Sequence, residues 1–323
     1  MLKRILLCLL TLCLFLCGCT QAALVIKCIY YEIAGGVCRP EKESIVMDLA
    51  LQKELIAKGR DFMKADRSDE LYPDYETDQQ LKLPQPPLTK APMRGEEART
   101  ALPRDFESLV LKNDLLALLR DRHSSRVYTG ENMSLLQLSF LLWATQGIKD
   151  VRGKSYATLR TVPAGGARHA FETYLIVRNV DGLKPGAYHY LPFEHALEYL
   201  HEVENDSEVI TKSLCGQAWG GKANVVFYWS MVAYRCEWRY GISAHRPALM
   251  DIGHVGENLY LACTGAGLGT CGVAAFSHDI CCEQFELDGE EEYPVYTMPV
   301  GTVREEDKQA EQAFYSFVTE QGL

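Results

Sequence analysis

The chain has 323 residues, 47% of them hydrophobic, and a formal net charge of −10 with no Lys/Arg-rich stripe. That much apolar sequence can bury a substantial core, as one large domain or two modest ones. Duplex nucleic acid repels an acidic surface of this kind, which disfavours a nucleic-acid-binding role. Twelve cysteines divide evenly between Cys8, Cys13, Cys17, Cys19, Cys28, Cys38 and Cys215, Cys236, Cys263, Cys271, Cys281, Cys282. Neither set contains paired CxxC knuckles, so no metal site is expected. Cys263, Cys271 and Cys281 sit in apolar stretches where small thiols are buried as structure.

Residues 1–46 stand apart. Lys3 and Arg4, an apolar run and Leu16-Cys17-Gly18-Cys19 read as a signal peptide ending in an approximate lipobox, with Cys19 the acylation site of an exported lipoprotein. The run is too short for a stable membrane span. Alternatively, Lys42-Glu43 is encoded by a ribosome-binding sequence, translation starts at Met47 and the protein is cytoplasmic. The later start is preferred, because six cysteines without a disulfide pattern suit no exported domain. Sequencing the native N-terminus decides between the two; an acylated Cys19 ends the second.

From Met47 the chain divides into a helix plus arm (47–104) and a globular part (105–323). Leu51, Leu55, Phe62 and Met63 give one apolar face to a helix over Asp48–Lys64. Residues 72–104 hold six prolines and many charges, an extended arm that either wraps over a surface or links. A helix is expected over Phe106–Leu119, followed by a basic exit through Arg120–Tyr128. Ser134 caps a helix over Leu135–Gln146 that stops at Gly147. Strands are expected over Thr173–Arg178 and Ala187–Leu191 around a Gly/Pro-rich turn, over Leu197–His201 and over Val225–Val232. A long helix over Asp251–Ala266 ends at Gly267. A strand near Cys271–Phe276, a Ser277-capped helix and a strand over Val295–Val300 complete the chain. Without βα alternation or an early GxGxxG, the fold class is α+β rather than a dinucleotide-binding domain.

Three clusters interrupt this pattern. Arg122-His123-Ser124-Ser125-Arg126 gathers two guanidiniums, an imidazole and hydroxyls after a helix, which is a phosphate receptor or a solvated helix end. Pro163-Ala164-Gly165-Gly166-Ala167 leaves backbone bare for a flat ring, or is a plain turn. Gly267 to Ala275 is small-residue sequence running from a helix end into a strand. It suits close cofactor approach, or a packed joint.

Together the clusters resemble the nitroreductase superfamily, in its SagB-type, thiazole/oxazole-forming branch. RHSSR resembles that family's Arg-[Arg/His]-Ser-x-[Arg/Lys] motif, implying that Arg122, His123, Ser124 and Arg126 hold the FMN phosphate and ribityl chain. PAGGARHAFETY resembles PSAGARHPFETY, implying that Ala164, Gly165 and Ala167 lie against the isoalloxazine across a dimer interface. It departs by Ala164 for Ser, Gly165 for Ala and Ala170 for Pro. GLGTCGVAAF resembles the third motif and implies that the amides of Gly272, Val273, Ala274 and Ala275 face the flavin edge. Pro299-Val300-Gly301 with Arg304 resembles the closing strand, whose basic residue approaches the phosphate. LSFLLWATQG, EWRYG and DIGHVGENLYLA are further branch markers.

The resemblance implies a mostly antiparallel sheet flanked by helices, an intertwined homodimer with two FMN sites, and a two-electron ping-pong cycle through flavin N5 with NAD(P)H as a possible donor. The substrate would be a small molecule or a modified peptide. Azoline-oxidising relatives use a Lys-Tyr pair; here Arg239-Tyr240 stands in its place. Arginine stays protonated, so Tyr240 is the candidate base with Arg239 raising its acidity, or both residues only frame the pocket. A family member that binds flavin or another flat ligand without turnover is the alternative.

Overall fold

Asp48 opens helix α1 (Leu49–Phe62) by accepting a hydrogen bond from the Ala50 amide at 3.2 Å. The computed structural model describes residues 48–64, 72–313, 315, 316, 320 and 322. Residues 1–47, with Cys19 and the two alternative starts, lie outside the described residues. The chain clusters into two units, 1–64 and 65–323. Of the first, α1 is described: no residue of this helix is buried, and Leu51, Leu55, Phe62 and Met63 are all exposed.

The second unit is built on a seven-stranded sheet. In chain order it contains β1 (Arg99–Ala101), α2 (Leu115–Asp121), α3 (Leu135–Gln146), β2 (Ile148–Arg152), β3 (Ala157–Arg160), β4 (Phe171–Val177), β5 (Gly186–Leu191), β6 (Ala196–His201), α4 (Asp206–Ser213), β7 (Val225–Val232), α5 (Tyr234–Tyr240), α6 (His245–Gly265), β8 (Leu268–Thr270), α7 (His278–Phe285), β9 (Glu292–Thr302) and α8 (Lys308–Ala313). The strand order is β1-β6-β5-β4-β7-β9-β8 with every neighbouring pair antiparallel, and β2 and β3 form a separate hairpin. The α+β class and the helix-flanked, mostly antiparallel sheet agree with the expectation.

Both faces of the sheet are covered, and the period-two alternation of each strand supplies both cores. Leu175, Val177, Phe227 and Trp229 point to one side and pack with Leu138, Leu141 and Leu142 of α3 and Ile252, Val255 and Leu259 of α6. Their strand neighbours Tyr174, Ile176, Val226 and Tyr228 point to the other and pack with Ile210, Cys281 and Phe285 of α4 and α7. A capping box fixes the start of α3: Ser134 accepts from the Gln137 amide while the Gln137 side chain accepts from the Ser134 amide.

The proline-rich residues 72–104 belong to the second unit and are clasped by its buried carboxylates. Lys90 N donates to Glu172 at 2.7 Å, while Met93 N and Arg94 N each donate to Glu198 at 2.9 Å. Arg235 and Arg160 donate to the carbonyls of Pro87 and Leu88. The clasp exists because β-sheet register aligns its parts: Glu198 faces His189, and His189 faces Tyr174, across β6, β5 and β4. His189 then bonds Glu198 through Nδ1 at 2.7 Å and Glu172 through Nε2 at 3.2 Å, stacked on the Tyr174 ring.

Four expectations are corrected. The helix over Phe106–Leu119 is a single turn, Phe106–Ser108, followed after a loop by α2, because the Asp114 side chain accepts from the Ala117 amide and restarts the helix there. The long helix begins at His245, since Pro247 falls in the first turn, where its missing N–H costs nothing. The strand near Cys271–Phe276 lies earlier, at β8; of that stretch only Val273 pairs, bridging Thr297. The last strand extends to Glu292–Thr302. The hairpin β2–β3, α4 and α5 were not anticipated. Among the described residues no helix is long and apolar enough to cross a membrane.

Candidate functional site

Helix α6 is the spine on which the polar clusters assemble. It carries the buried Asp251 in its first half and the half-buried Tyr260 near its end. Nine residues at about 1.5 Å each separate them, about 14 Å along the axis.

At the Tyr260 end the first and third clusters meet. Helix α2 stops at Asp121 because Arg122 turns extended (φ −57°, ψ 120°), and the next residues cross toward β8. The Ser125 amide donates to the Thr270 carbonyl at 2.8 Å. Gly269 permits this approach, since a Cβ there would come within 2.6 Å of the Ser125 Cβ. Tyr260 ties the two clusters: its hydroxyl lies 3.1 Å from Ser124 Oγ and accepts from the Gly272 amide at 2.7 Å, while the Arg122 guanidinium sits over its ring at 5.2 Å. Sequence reasoning passed over Tyr260 as part of a branch marker. The available signal was a hydroxyl-bearing residue beside the apolar positions Leu259, Leu261 and Ala262 of an amphipathic helix.

Arg122, His123 and Ser124, with Glu311, Gln312 and Tyr315 from the C-terminal segment, line a cavity of about 470 Å³. His123 Nδ1 lies 2.8 Å from the Asp121 carbonyl, which orients the ring at the mouth. The amides of Arg126 and Val127 point together and donate to the Glu311 carboxylate, at 2.7 and 2.8 Å from Arg126 and 3.3 Å from Val127. The Arg126 guanidinium lies over Trp219 at 5.8 Å and donates to the Tyr315 hydroxyl at 2.9 Å. Arg304 pairs with Glu131, and borders a smaller cavity shared with His123, Ser125 and Glu311. These residues therefore fit an anionic group: convergent amides already take a carboxylate, which stands in for an anionic oxygen.

In the third cluster two backbone amides have partners within the chain. Of the four amides expected to face a ring edge, Gly272 donates to Tyr260 and Val273 donates to Thr297 O at 2.9 Å. The Val273 side chain is buried in the second core. Ala274 and Ala275, both exposed, are the two that remain for a ring edge.

At the Asp251 end lies the second cluster. Gly165 N donates to the Asp251 carboxylate at 3.0 and 2.9 Å, and Ala167 N donates to Ala164 O at 2.9 Å. Burial raises the Asp251 carboxyl, and the Gly165 amide offsets part of that rise. Gly166, Ala167 and His169 all have φ between 45° and 54°, left-handed values that side-chain-bearing residues rarely adopt, with Arg168 right-handed between the last two. Against this bend pack Arg239 and Tyr240 of α5: a Cβ on Gly166 would strike Arg239 Nε and lie 2.7 Å from the Tyr240 hydroxyl. Gly166→Ala should therefore cost about 1–2 kcal/mol from the left-handed backbone alone, and push Arg239 aside; urea unfolding reads the cost, and an unchanged midpoint would refute it.

The Arg239–Tyr240 pair has an unanticipated third member. Arg239 donates to the Tyr156 hydroxyl at 2.7 Å, Gln79 of the arm donates to it at 3.1 Å, and the Arg168 guanidinium sits over the Tyr156 ring at 4.9 Å. The Gln79 hydrogen bond and the two arginines lower the Tyr156 phenol from its ordinary value. Tyr156 stands on the β2–β3 hairpin, which no local pattern announced.

The sequence pattern of the nitroreductase family matches residues 119–302, which holds the first, second and third clusters and α6. A Methanocaldococcus jannaschii protein assigned to the nitroreductases is 33% identical over 207 residues, 64% of this chain and 98% of that relative. The microcin B17-processing protein of Escherichia coli is 26% identical over 153 residues, 46% of this chain and 56% of its own length, so the chain spans about half of that relative. Among solved structures, a Ralstonia eutropha protein assigned to the nitroreductases superposes with a TM-score of 0.53 at 26% identity, covering 69% of this chain and 99% of its own.

Proposed function

The chain belongs to the nitroreductase family of oxidoreductases, and from that premise we propose that it is an FMN-dependent dehydrogenase of the SagB type, acting in two-electron ping-pong exchange. The observation that carries this reading is the convergence at Tyr260, which joins the basic cluster to the small-residue cluster around amides that already hold an anionic group. Arg122, His123, Ser124 and Arg126 would hold the phosphate and ribityl chain, with Arg304 at the edge. Ala164, Gly165 and Ala167 would lie against the ring, with the amides of Ala274 and Ala275 at its rim. When bound, FMN supplies the hydride chemistry. Tyr240 would take the substrate proton on its phenolate oxygen, beside the Arg239 guanidinium.

Two stretches meant for one cofactor sit about 14 Å apart on α6, which supports a site completed by a second copy. Val110, Leu115, Leu116, Leu249 and Met250 are large apolar side chains, each 47% exposed or more, and a homodimer interface would cover such a surface. A modified peptide is the preferred substrate, supported by the similarity to the microcin-processing protein; reduction of nitro or quinone compounds with NAD(P)H is the alternative chemistry.

The test is an absorption spectrum of the purified chain before and after anaerobic NAD(P)H. Flavin bands that bleach support the oxidoreductase reading. A colourless protein that cannot be reconstituted with FMN defeats it. Oxidised bands that persist leave a dehydrogenase reduced only by its own substrate, or a non-catalytic flavin binder. The second of these is favoured by one observation, that the Gly272 and Val273 amides are already committed within the chain.

A further inference from the structure

The amides of Arg126 and Val127 do not point into solvent; they hold the Glu311 carboxylate of the C-terminal segment. Three features make this more than a surface contact. The carboxylate accepts from two successive backbone N–H groups, a concave arrangement suited to anions. Tyr315 accepts from the Arg126 guanidinium, which it also faces through its ring at 5.6 Å. Glu311, Gln312 and Tyr315 form one wall of the cavity whose other wall is Arg122, His123 and Ser124.

The geometry points to self-occlusion: we propose that Glu311 on α8 is an internal competitor of the cofactor phosphate, so that the C-terminal segment must leave the Arg126–Val127 amides before FMN can seat. The inference rests on the FMN reading above. It follows because a carboxylate and a phosphate cannot accept from the same two N–H groups, and each would draw on the same cationic surroundings. A segment docked nine-tenths of the time raises the apparent dissociation constant about ten-fold. Release and binding are reciprocal, so FMN should loosen the segment as much as the segment weakens FMN.

The experiment is a titration of FMN into the purified full chain, followed by quenching of flavin fluorescence, for the parent protein, Glu311→Gln and Glu311→Ala. Glu311→Gln keeps the side-chain shape and removes the charge. Both variants should bind FMN about ten-fold tighter than the parent. In parallel, hydrogen exchange at residues 308–313 of the parent should quicken on adding FMN. Equal or weaker FMN binding by both variants overturns the inference while leaving the cofactor reading intact. FMN bound by none of the three proteins overturns the cofactor reading, and this inference with it.

Discussion

Glu172→Ala is expected to lower the stability of the 65–323 unit by about 3–5 kcal/mol, the range for removing one partner of a buried charged cluster. Glu172 is 2% exposed. It accepts from the Lys90 amide at 2.7 Å, pairs with Arg235 at 2.5 Å and faces His189 Nε2 at 3.2 Å. Alanine would strand the Arg235 guanidinium, whose Nη1 already has no hydrogen-bond partner among the described residues. It would also unfasten the arm at Lys90. Urea unfolding near neutral pH measures the cost, and a loss under about 1 kcal/mol would show that the cluster is not an anchor. Glu172→Gln keeps an acceptor for Lys90 without the charge, and should fall between the parent and Glu172→Ala.

The same cluster sets a pH dependence of defined sign. Burial alone would raise the Glu172 carboxyl, but Arg235 and His189 hold it well below its ordinary 4.5. Burial would likewise raise Glu198, and His189 with the Met93 and Arg94 amides holds it low. Burial would lower the His189 imidazole, yet the hydrogen bonds to Glu172 and Glu198 keep it above its ordinary 6.5. Depressed carboxyls give stability that is present above 4.5 and is lost as pH falls through their folded values. The raised imidazole gives stability that is full below 6.5 and is lost as pH rises through its folded value. Stability from this cluster is therefore greatest between those two ordinary values and declines on both sides. Glu172→Ala should flatten both slopes; unaltered slopes would place the titrating groups elsewhere.

What was legible in the sequence was local. The capping box at Ser134 and Gln137, the apolar runs of β7 and α6 and the basic cluster at 122–126 each lie within a few residues, so periodicity and motif spacing reveal them. What stayed hidden depends on register between distant segments. Nothing near Lys90 announces that its amide meets Glu172, 82 positions away. Proline in the arm removes the periodic signal, and the docking uses backbone amides whose acceptors are buried carboxylates. Glu172, His189 and Glu198 lie inside strand stretches, and only the pairing of β4, β5 and β6 puts Glu198, His189 and Tyr174 in one row, with Glu172 two residues from Tyr174 along β4. The site divides the same way. The clusters were visible, but the residue that links two of them, Tyr260, and the third member of the Arg239–Tyr240 pair, Tyr156, are joined by tertiary packing alone. The Val273 amide is a related case: its partner is the Thr297 carbonyl across the sheet, which no local pattern announces.

Tyr240→Phe should cut turnover by about 10²–10³-fold, within the range for a general base, while leaving flavin content unchanged. The change deletes one oxygen and keeps the ring that packs on the Gly165–Gly166 bend, so binding contacts persist and only proton transfer is lost. That oxygen has the neighbours a base requires. It lies 3.5 Å from where a Cβ on Gly165 would stand, close to the stretch matched to the ring, and the Arg239 guanidinium faces its ring at 5.6 Å. Arginine cannot itself accept a proton, so any proton transfer by the pair falls to Tyr240, with Arg239 the neighbour that positions it. Tyr156 shares that guanidinium, and its lowered phenol puts a second negative oxygen within reach of it as pH rises. Tyr156→Phe removes that second oxygen, keeps the ring and should cost little turnover at neutral pH. The two substitutions thus separate a base from a positioning residue: one lowers turnover, the other leaves it near the parent's. Unchanged turnover in Tyr240→Phe with flavin retained would sink the base role and leave the pair as a frame for the pocket. Equal losses in both variants would instead mean that the two phenols act as one unit through Arg239.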